Sequence, residues 1–199
     1  MGKPIGGSSR KGMHGMDVIT VDHWDEALWR EAEPIYYAAF PEHGRKSKAI
    51  IRNMFQKHLC QLHLAKSEGE LVAMAITGSV EGSRAIIIDY FAVRADLRNK
   101  GIGSVFLERL KEYAKVDGDY TILLIEVEAE DTQTNAERAK FWEKAGFHST
   151  DYVHKYIWVP EPYRAMYAQL NSTPISTKGE HLFSIITRFH RESFSKKEQ

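Results

Sequence analysis

The stretch "VRADLRNKGIGSVFLERLKEY", residues 93–113, decides the predicted fold of this chain. It joins an apolar, β-branched run, residues 84–93, to an apolar-periodic helix expected from about Ser104. Between them lie two basic residues and two glycines, Arg98, Lys100, Gly101 and Gly103. The first N–H groups of a helix lack partners within it, and glycine lets a ligand approach the backbone closely. The bend therefore indicates a phosphate or diphosphate seat, the alternative being a tight turn with solvated basic side chains.

The composition narrows the class of protein. The 27 basic and 27 acidic residues give zero formal net charge, so neither nucleic acid nor an anionic membrane is expected as a general partner. The single cysteine, Cys60, excludes a disulfide within the chain and favours a cytoplasmic location. No apolar run is long enough to cross a bilayer. We expect residues 1–15, which are basic and rich in Gly and Ser, to be a disordered leader or tag, and residues 16–195 to form a single domain.

Periodicity and turn residues predict a mixed α/β order: a strand, two helices, three strands, then helix, strand, helix, two strands and a last helix at about residues 179–194. Pro34 is expected to break or kink the first helix, Ser47 to cap the second, and Gly146 to stop the helix before it. A turn at residues 67–69 predicts a hairpin. The strand over residues 120–128 is apolar enough to be expected buried on both faces.

Two other phosphate-binding motifs fail on spacing. A dinucleotide fingerprint needs a third glycine where Phe106 stands, and the chain has no P-loop sequence. "RNKGIG" instead resembles the Arg/Gln-x-x-Gly-x-Gly/Ala signature of the GCN5-related N-acetyltransferase (GNAT) superfamily. "NAERAKFWEKAGF", residues 135–147, resembles the second motif of that superfamily, Asn-x-x-Ala-x-x-Leu-Tyr-x-x-x-Gly-Phe. The resemblance follows the element order over about residues 16–170 and is specific over about residues 85–147.

The resemblance implies an acyl-CoA N-acyltransferase fold, in which a central mixed sheet is splayed in its middle and carries helices on both faces. Acetyl-CoA is then the co-substrate, held between the strands at residues 86–93 and 121–128, with no metal. Backbone groups near the end of the first strand would meet the pantetheine arm and the thioester: Phe91, Ala92 and Val93. Amides of the following bend would hold the pyrophosphate: Arg98, Asn99, Lys100, Gly101, Ile102, Gly103 and Ser104. Asn135 and Phe141 would border the far side of the CoA arm.

The implied reaction is direct transfer of acetyl to a primary amine in a ternary complex. A base must take a proton from the amine, and Glu126, an acidic residue within the apolar "ILLIEVE", is the first candidate. The alternative for Glu126 is a carboxylate paired with Arg138 or facing solvent, and Asp89 is the second candidate for the base.

The proton donor to the departing thiolate is an open question. Trp142 occupies the position where the family usually has a tyrosine, and an indole is not a useful acid. We assign the acid to Tyr156, with Tyr90, Tyr152, a water molecule or no acid at all as alternatives.

Two weaker patterns have simpler alternatives. His58, Cys60 and His63 supply three zinc-type ligands, but a packed cysteine among polar residues is favoured. Glu33, Tyr36, Tyr37 and Glu42 are candidates for an acceptor wall, but core packing of the tyrosines is favoured. An inactive CoA-binding regulator and a nucleotide-phosphate enzyme stay as alternative functions. The amine acceptor is not identified, and the chain is expected to be a monomer or a homodimer.

Overall fold

The computed structural model describes residues 15–116, 118–157 and 159–195 of the chain. The strands are β1 Met16–Val21, β2 Cys60–Ser67, β3 Glu70–Gly78, β4 Ala85–Val93, β5 Ile122–Glu128, β6 His148–Lys155 and β7 Pro162–Gln169. The helices are α1 Glu26–Ala39, α2 Lys48–Gln56, α3 Ile102–Val116, α4 Gln133–Lys144 and α5 Gly179–Phe194, with short 3-10 turns at Glu42–Gly44 and Ala95–Leu97. This order confirms the predicted one. The expected leader, apart from Gly15, lies outside the described residues.

The seven strands form one hydrogen-bonded sheet in the order β1-β2-β3-β4-β5-β7-β6. β4 and β5 run parallel, whereas β5 pairs with β7, and β7 with β6, in antiparallel fashion. This arrangement confirms the predicted mixed α/β class. No helix among the described residues has both the length and the apolar character needed to cross a bilayer.

The parallel pairing of β4 and β5 is short. It joins residues 85–87 to residues 122–124, although β5 continues to Glu128. The described register of this pair ends at Ile87 opposite Leu124. The burial of β5 changes at the same place, because residues 122–124 are buried and residues 125–128 are half-buried. The expectation that this strand is buried on both faces throughout is therefore wrong for its second half.

The chain groups into two compact units, and the first contains residues up to Thr77 together with residues 90–109. Its β1 and β2 pair antiparallel from Met16 opposite Ser67 onward. Glu68 and Gly69, both at positive φ, form the two-residue turn of the predicted β2–β3 hairpin. The Ser47 side chain accepts a hydrogen bond from the Ile50 amide at 3.3 Å, which confirms the predicted helix cap.

Helix α1 continues through Pro34, so the predicted break is wrong. A proline inside a helix removes one backbone hydrogen bond. The helix buries residues on both sides of the proline, including Trp29 and Tyr36, and Asp25 caps its first turn by accepting hydrogen bonds from the amides of Ala27 and Leu28. Tertiary packing of this face outweighs the local cost of the proline.

A fully buried histidine links three strands of the first unit. His63 on β2 lies 2.8 Å from Thr20 Oγ1 through Nδ1 and 2.8 Å from Thr77 Oγ1 through Nε2. The Thr77 hydroxyl donates to Gln61 Oε1, so it accepts from His63 Nε2–H, and His63 is neutral. Burial lowers the pKa of His63 to about 3.

The second unit contains residues 78–89 and the chain from Leu110 onward. In it, α5 packs on β6 and β7 through buried apolar residues that include Leu182, Phe183, Ile186 and Phe189. The first residue of this helix, Gly179, approaches β6 closely. A Cβ atom at Gly179 would lie 2.3 Å from the Cβ atom of Tyr152, so a larger residue would displace the start of the helix.

The buried His63 predicts a specific acid sensitivity. Its pKa is lowered on folding, so the unfolded chain binds more protons between about pH 6.5 and 3, and stability falls as the pH drops through this window. We expect His63 to contribute about 2 kcal/mol to the loss of unfolding free energy between pH 7.5 and 5. Urea denaturation of the wild type and His63→Gln at both pH values checks this, because glutamine does not titrate. An equal loss of unfolding free energy between the two pH values in wild type and His63→Gln would contradict this contribution of His63.

Candidate functional site

The glycine-containing bend lies in the first unit and is open to solvent. Arg98, Asn99, Lys100, Gly101 and Ser104 are exposed, while Ile102 and Gly103 are half-buried at the start of α3. Asn99 and Gly101 have positive φ, and a Cβ atom at Gly101 would have no heavy atom within 4 Å. The helix begins at Ile102, so its first backbone N–H groups project into this basic bend. Exposed basic side chains and the first N–H groups of the helix together favour binding of an anion such as a diphosphate at this bend.

The residues before the bend continue β4 into the first unit. Phe91 and Val93 are half-buried and Ala92 is buried. The Phe91 ring stacks on that of Phe106 with centroids 5.3 Å apart, which ties the end of the strand to the first turns of α3. The amide of Arg94 donates to the carbonyl of Val72 at 2.9 Å. The strand end and the bend are thus held by packing on one side and by backbone bonding on the other.

The second unit contains a hydrogen-bonded carboxylate at Glu126 on β5. Tyr156 Oη donates to Glu126 Oε2 at 2.7 Å, and His190 Nε2 lies 2.6 Å from Glu126 Oε1. The Glu126 and His190 side chains are 20% and 15% exposed, so the cluster is largely screened from water yet remains accessible. The structure therefore brings together the two predicted catalytic residues, Glu126 and Tyr156.

The phenol of Tyr156 is held by neighbouring rings. His154 lies edge-on to it at 4.5 Å and Tyr163 at 5.6 Å between ring centroids. Burial raises the pKa of Tyr156 well above its ordinary value, and the charge of Glu126, its hydrogen bond and the charge of Asp89 add to the effect. Burial and the charge of Glu126 also raise the pKa of Tyr163, to about 12. Both phenols are unionised at neutral pH.

One alternative for Glu126 is an ion pair with Arg138, but the structure gives this arginine a different partner. Arg138 Nη1 lies 3.7 Å from Glu128 Oε1, so the arginine pairs with the next acidic residue on the strand. The half-buried Glu126 has Tyr156 and His190 as hydrogen-bond partners. The runner-up base, Asp89, is half-buried and close enough to Tyr156 for its charge to act on the phenol.

The second motif forms α4. Asn135 is buried near its start, and its side-chain amide donates to the carbonyl of Glu130 at 3.2 Å. Phe141 is half-buried and Trp142 is 6% exposed, with its ring packed edge-on against Phe141 and Phe147. Trp142 is thus a packing residue in this position. Gly146 has a φ of 82° and ends the helix as predicted.

Cys60 and Tyr36 are buried, as their simpler alternatives predict, whereas the expected core packing of Tyr37 is wrong. The described ranges contain no group of three or more His, Cys, Asp and Glu residues that could hold a metal ion, and both nitrogens of His63 bond threonines. Tyr36 is fully buried and donates to the carbonyl of Lys46 at 2.9 Å, as expected of a core residue. Tyr37 is exposed, and the Arg45 guanidinium lies 4.6 Å from its ring centroid. Glu42 is exposed, and Glu33 accepts a hydrogen bond from Trp29.

Sequence reasoning missed His190. The sequence predicts the last helix at about residues 179–194 but assigns no role to the histidine next to Phe189. His190 lies four residues after Ile186 and seven after Phe183, so it continues a buried stripe of the helix. A histidine on such a stripe was the available signal, but it did not indicate the partner, which lies 64 residues earlier in the chain.

Comparisons with known proteins assign the family. The model of the acetyltransferase (GNAT) family matches residues 23–147, which is more than half of the chain. The chain therefore belongs to the GNAT family of acetyltransferases, and the resemblance found in the sequence is confirmed. A search of curated protein sequences gives no match.

Solved structures of low sequence identity share the fold. A GNAT-family protein from Bacteroides thetaiotaomicron is 17% identical with a TM-score of 0.64, and the alignment covers 83% of this chain and 89% of that one. The ribosomal-protein-S18-alanine N-acetyltransferase of Escherichia coli is 21% identical with a TM-score of 0.58, covering 79% and 96%. An aminoglycoside 6'-N-acetyltransferase complexed with coenzyme A is 16% identical with a TM-score of 0.61, covering 79% and 99%.

Proposed function

We propose that this protein transfers acetyl from acetyl-CoA to a primary amine, by direct attack of the amine in a ternary complex. Family membership supports the acetyltransferase activity, and a similar fold has been crystallised with coenzyme A. The observation that carries the chemistry is the carboxylate of Glu126, hydrogen-bonded to Tyr156 at 2.7 Å and to His190 at 2.6 Å. Proton removal from an amine requires a base held in a fixed orientation, and these two hydrogen bonds hold the carboxylate in one.

The bend of residues 98–104 is assigned to the diphosphate of acetyl-CoA. Its exposed Arg98 and Lys100 supply charge, and the amides from Asn99 to Ser104 supply donors at the start of a helix. Phe91, Ala92 and Val93 are assigned to the pantetheine arm, and Asn135 and Phe141 to its far side, as the family pattern implies. When bound, acetyl-CoA supplies a thioester whose acyl carbon an amine attacks.

Glu126 is the proposed base. An alkyl amine has a pKa of about 10 and is mostly protonated at neutral pH, so it must lose a proton before it can attack. The carboxylate is half-buried on β5 and held in one orientation, and an ionised carboxylate has about four lone-pair sites, so it can accept a further proton while it is bonded to two donors. Glu126 takes that proton directly or through a water molecule.

Tyr156 is the proposed source of the proton for the departing thiolate. An ammonium acceptor loses two protons in the reaction, of which one ends on the sulfur of CoA and the other in solvent. A phenol with a raised pKa gives up its proton reluctantly. The transfer therefore has to be coupled to return of a proton from Glu126 through the 2.7 Å hydrogen bond. The same pair then serves both halves of the proton transfer.

Gly103→Glu tests the diphosphate seat. The substitution adds a carboxylate where the diphosphate is assigned, while a glutamate in the first turn of a helix is favourable for folding. We expect binding of CoA, measured by calorimetry, to fall below detection with the melting temperature retained. Gly44→Glu is the matched control, because Gly44 is exposed in a 3-10 turn of the same unit. Unchanged CoA affinity in Gly103→Glu would contradict the placement.

Glu126→Gln tests the base. We expect the wild type to release CoA thiol in the presence of a panel of primary amines and acetyl-CoA, and the variant to lose about 10² to 10⁴-fold in kcat with CoA affinity retained. Glu128→Gln, which removes the same charge two residues along the strand, is expected to stay within a few-fold of the wild type. Strong binding of acetyl-CoA without turnover on any amine would favour the inactive regulator.

Tyr156→Phe tests the proton donor. Loss of the hydroxyl removes both the donor to Glu126 and the proposed acid, so kcat is expected to fall about 10²-fold with little change in KM for acetyl-CoA. Tyr163→Phe is the control, since its ring packs against Tyr156 at 5.6 Å. A Tyr156→Phe enzyme with wild-type kcat would mean that the thiolate leaves without a proton from this residue.

A further inference from the structure

A histidine of the last helix contacts the proposed base. His190 Nε2 lies 2.6 Å from Glu126 Oε1, and an ionised carboxylate only accepts hydrogen bonds, so the imidazole donates through Nε2–H. The bond joins residues 64 positions apart. It also joins the part of the chain that the family model matches, which ends at residue 147, to a helix beyond it.

The imidazole is fixed by its own surroundings. Phe189, the preceding residue, is fully buried in the packing of α5 on the sheet, and its ring centroid lies 5.5 Å from that of His190. The Tyr156 ring stands edge-on to the imidazole at 6.1 Å. The His190 side chain is 15% exposed. A side chain packed in this way loses little further freedom when it donates a hydrogen bond.

The two donors reach the carboxylate from different elements. Tyr156, which follows β6, binds Oε2, whereas His190 on α5 binds Oε1. One donor alone leaves a carboxylate able to rotate about its last side-chain bond, and two donors on separate oxygens fix its plane. Proton transfer depends on such orientation, because misplacement by about 1 Å can cost about 10²-fold in rate.

We propose that His190 is a positioning residue, which acts through Glu126 by holding Oε1 of the base in the orientation needed to take a proton from the amine. The inference rests on the proposed function, since it requires Glu126 to be the base. It extends the catalytic machinery to α5.

Two variants of His190 separate positioning from packing. His190→Gln keeps a side-chain N–H at similar reach but loses the aromatic ring. His190→Phe keeps the ring and the apolar contacts with Phe189 but cannot donate. A positioning role predicts that His190→Phe loses about 10- to 100-fold in kcat, with KM for acetyl-CoA unchanged and the protein folded, whereas His190→Gln stays within a few-fold of the wild type. A packing role predicts instead that His190→Gln loses activity while His190→Phe stays close to the wild type.

A double-mutant cycle tests whether the effect passes through the base. If His190 acts through Glu126, adding His190→Phe to Glu126→Gln lowers kcat no further, whereas independent effects would multiply. The melting temperatures of the same four proteins report the coupling of the two side chains without any substrate, and a non-additive change is expected there as well.

The outcomes distinguish this inference from the proposed function. Loss of activity in Glu126→Gln together with full activity in His190→Phe would overturn the positioning role and leave the base in place. Full activity in Glu126→Gln would overturn the assignment of the base and the positioning role with it, and no acetyl transfer to any amine by the wild type would overturn the proposed function. A loss of activity and melting temperature in His190→Gln, with both retained in His190→Phe, would reduce His190 to a packing residue.

Discussion

A carboxylate in the half-buried part of an apolar strand must be hydrogen-bonded, because an unpaired buried charge costs several kcal/mol or changes its protonation state. Glu126 meets this requirement with two partners from the last third of the chain, Tyr156 and His190. Several elements of the second unit are needed to supply these hydrogen bonds to Glu126. The antiparallel β6–β7 pair and α5 have to be in place before β5 can carry a charge at this point. The chemistry and the stability of this unit are therefore linked.

The structure divides the proposed work between segments that differ in kind. The basic bend after β4 offers backbone amides and exposed charge, which suit the diphosphate proposed for it. The carboxylate cluster is built from side chains on three segments, β5 inside the matched region and, beyond residue 147, the residue after β6 and α5. Backbone recognition tolerates sequence change, whereas a cluster of side chains does not. Low identity between similar folds is what such a division allows.

Helix caps, turns and helix ends could be predicted from the sequence. Ser47 caps its helix, Glu68 and Gly69 form a two-residue turn, and Gly146 ends α4, because each of these features depends on neighbouring residues. The two motifs located the bend and α4 for the same reason. The sequence alone indicates Glu126 as a candidate, because an acidic residue in an apolar strand has to be explained by its surroundings.

What could not be predicted depends on distant residues. Pro34 suggested a break, but burial of both flanks of α1 keeps the helix whole. The place of β7 between β5 and β6 is set by packing, and no local pattern encodes it. The partnership of His190 with Glu126 follows from that packing. The close approach of Gly179 to β6 then has a wider meaning, because eleven residues of helix span roughly 16 Å. A methyl group added at Gly179 would displace the start of α5. Because the helix is stiff, that displacement would also move the His190 imidazole relative to the Glu126 carboxylate, three turns further along.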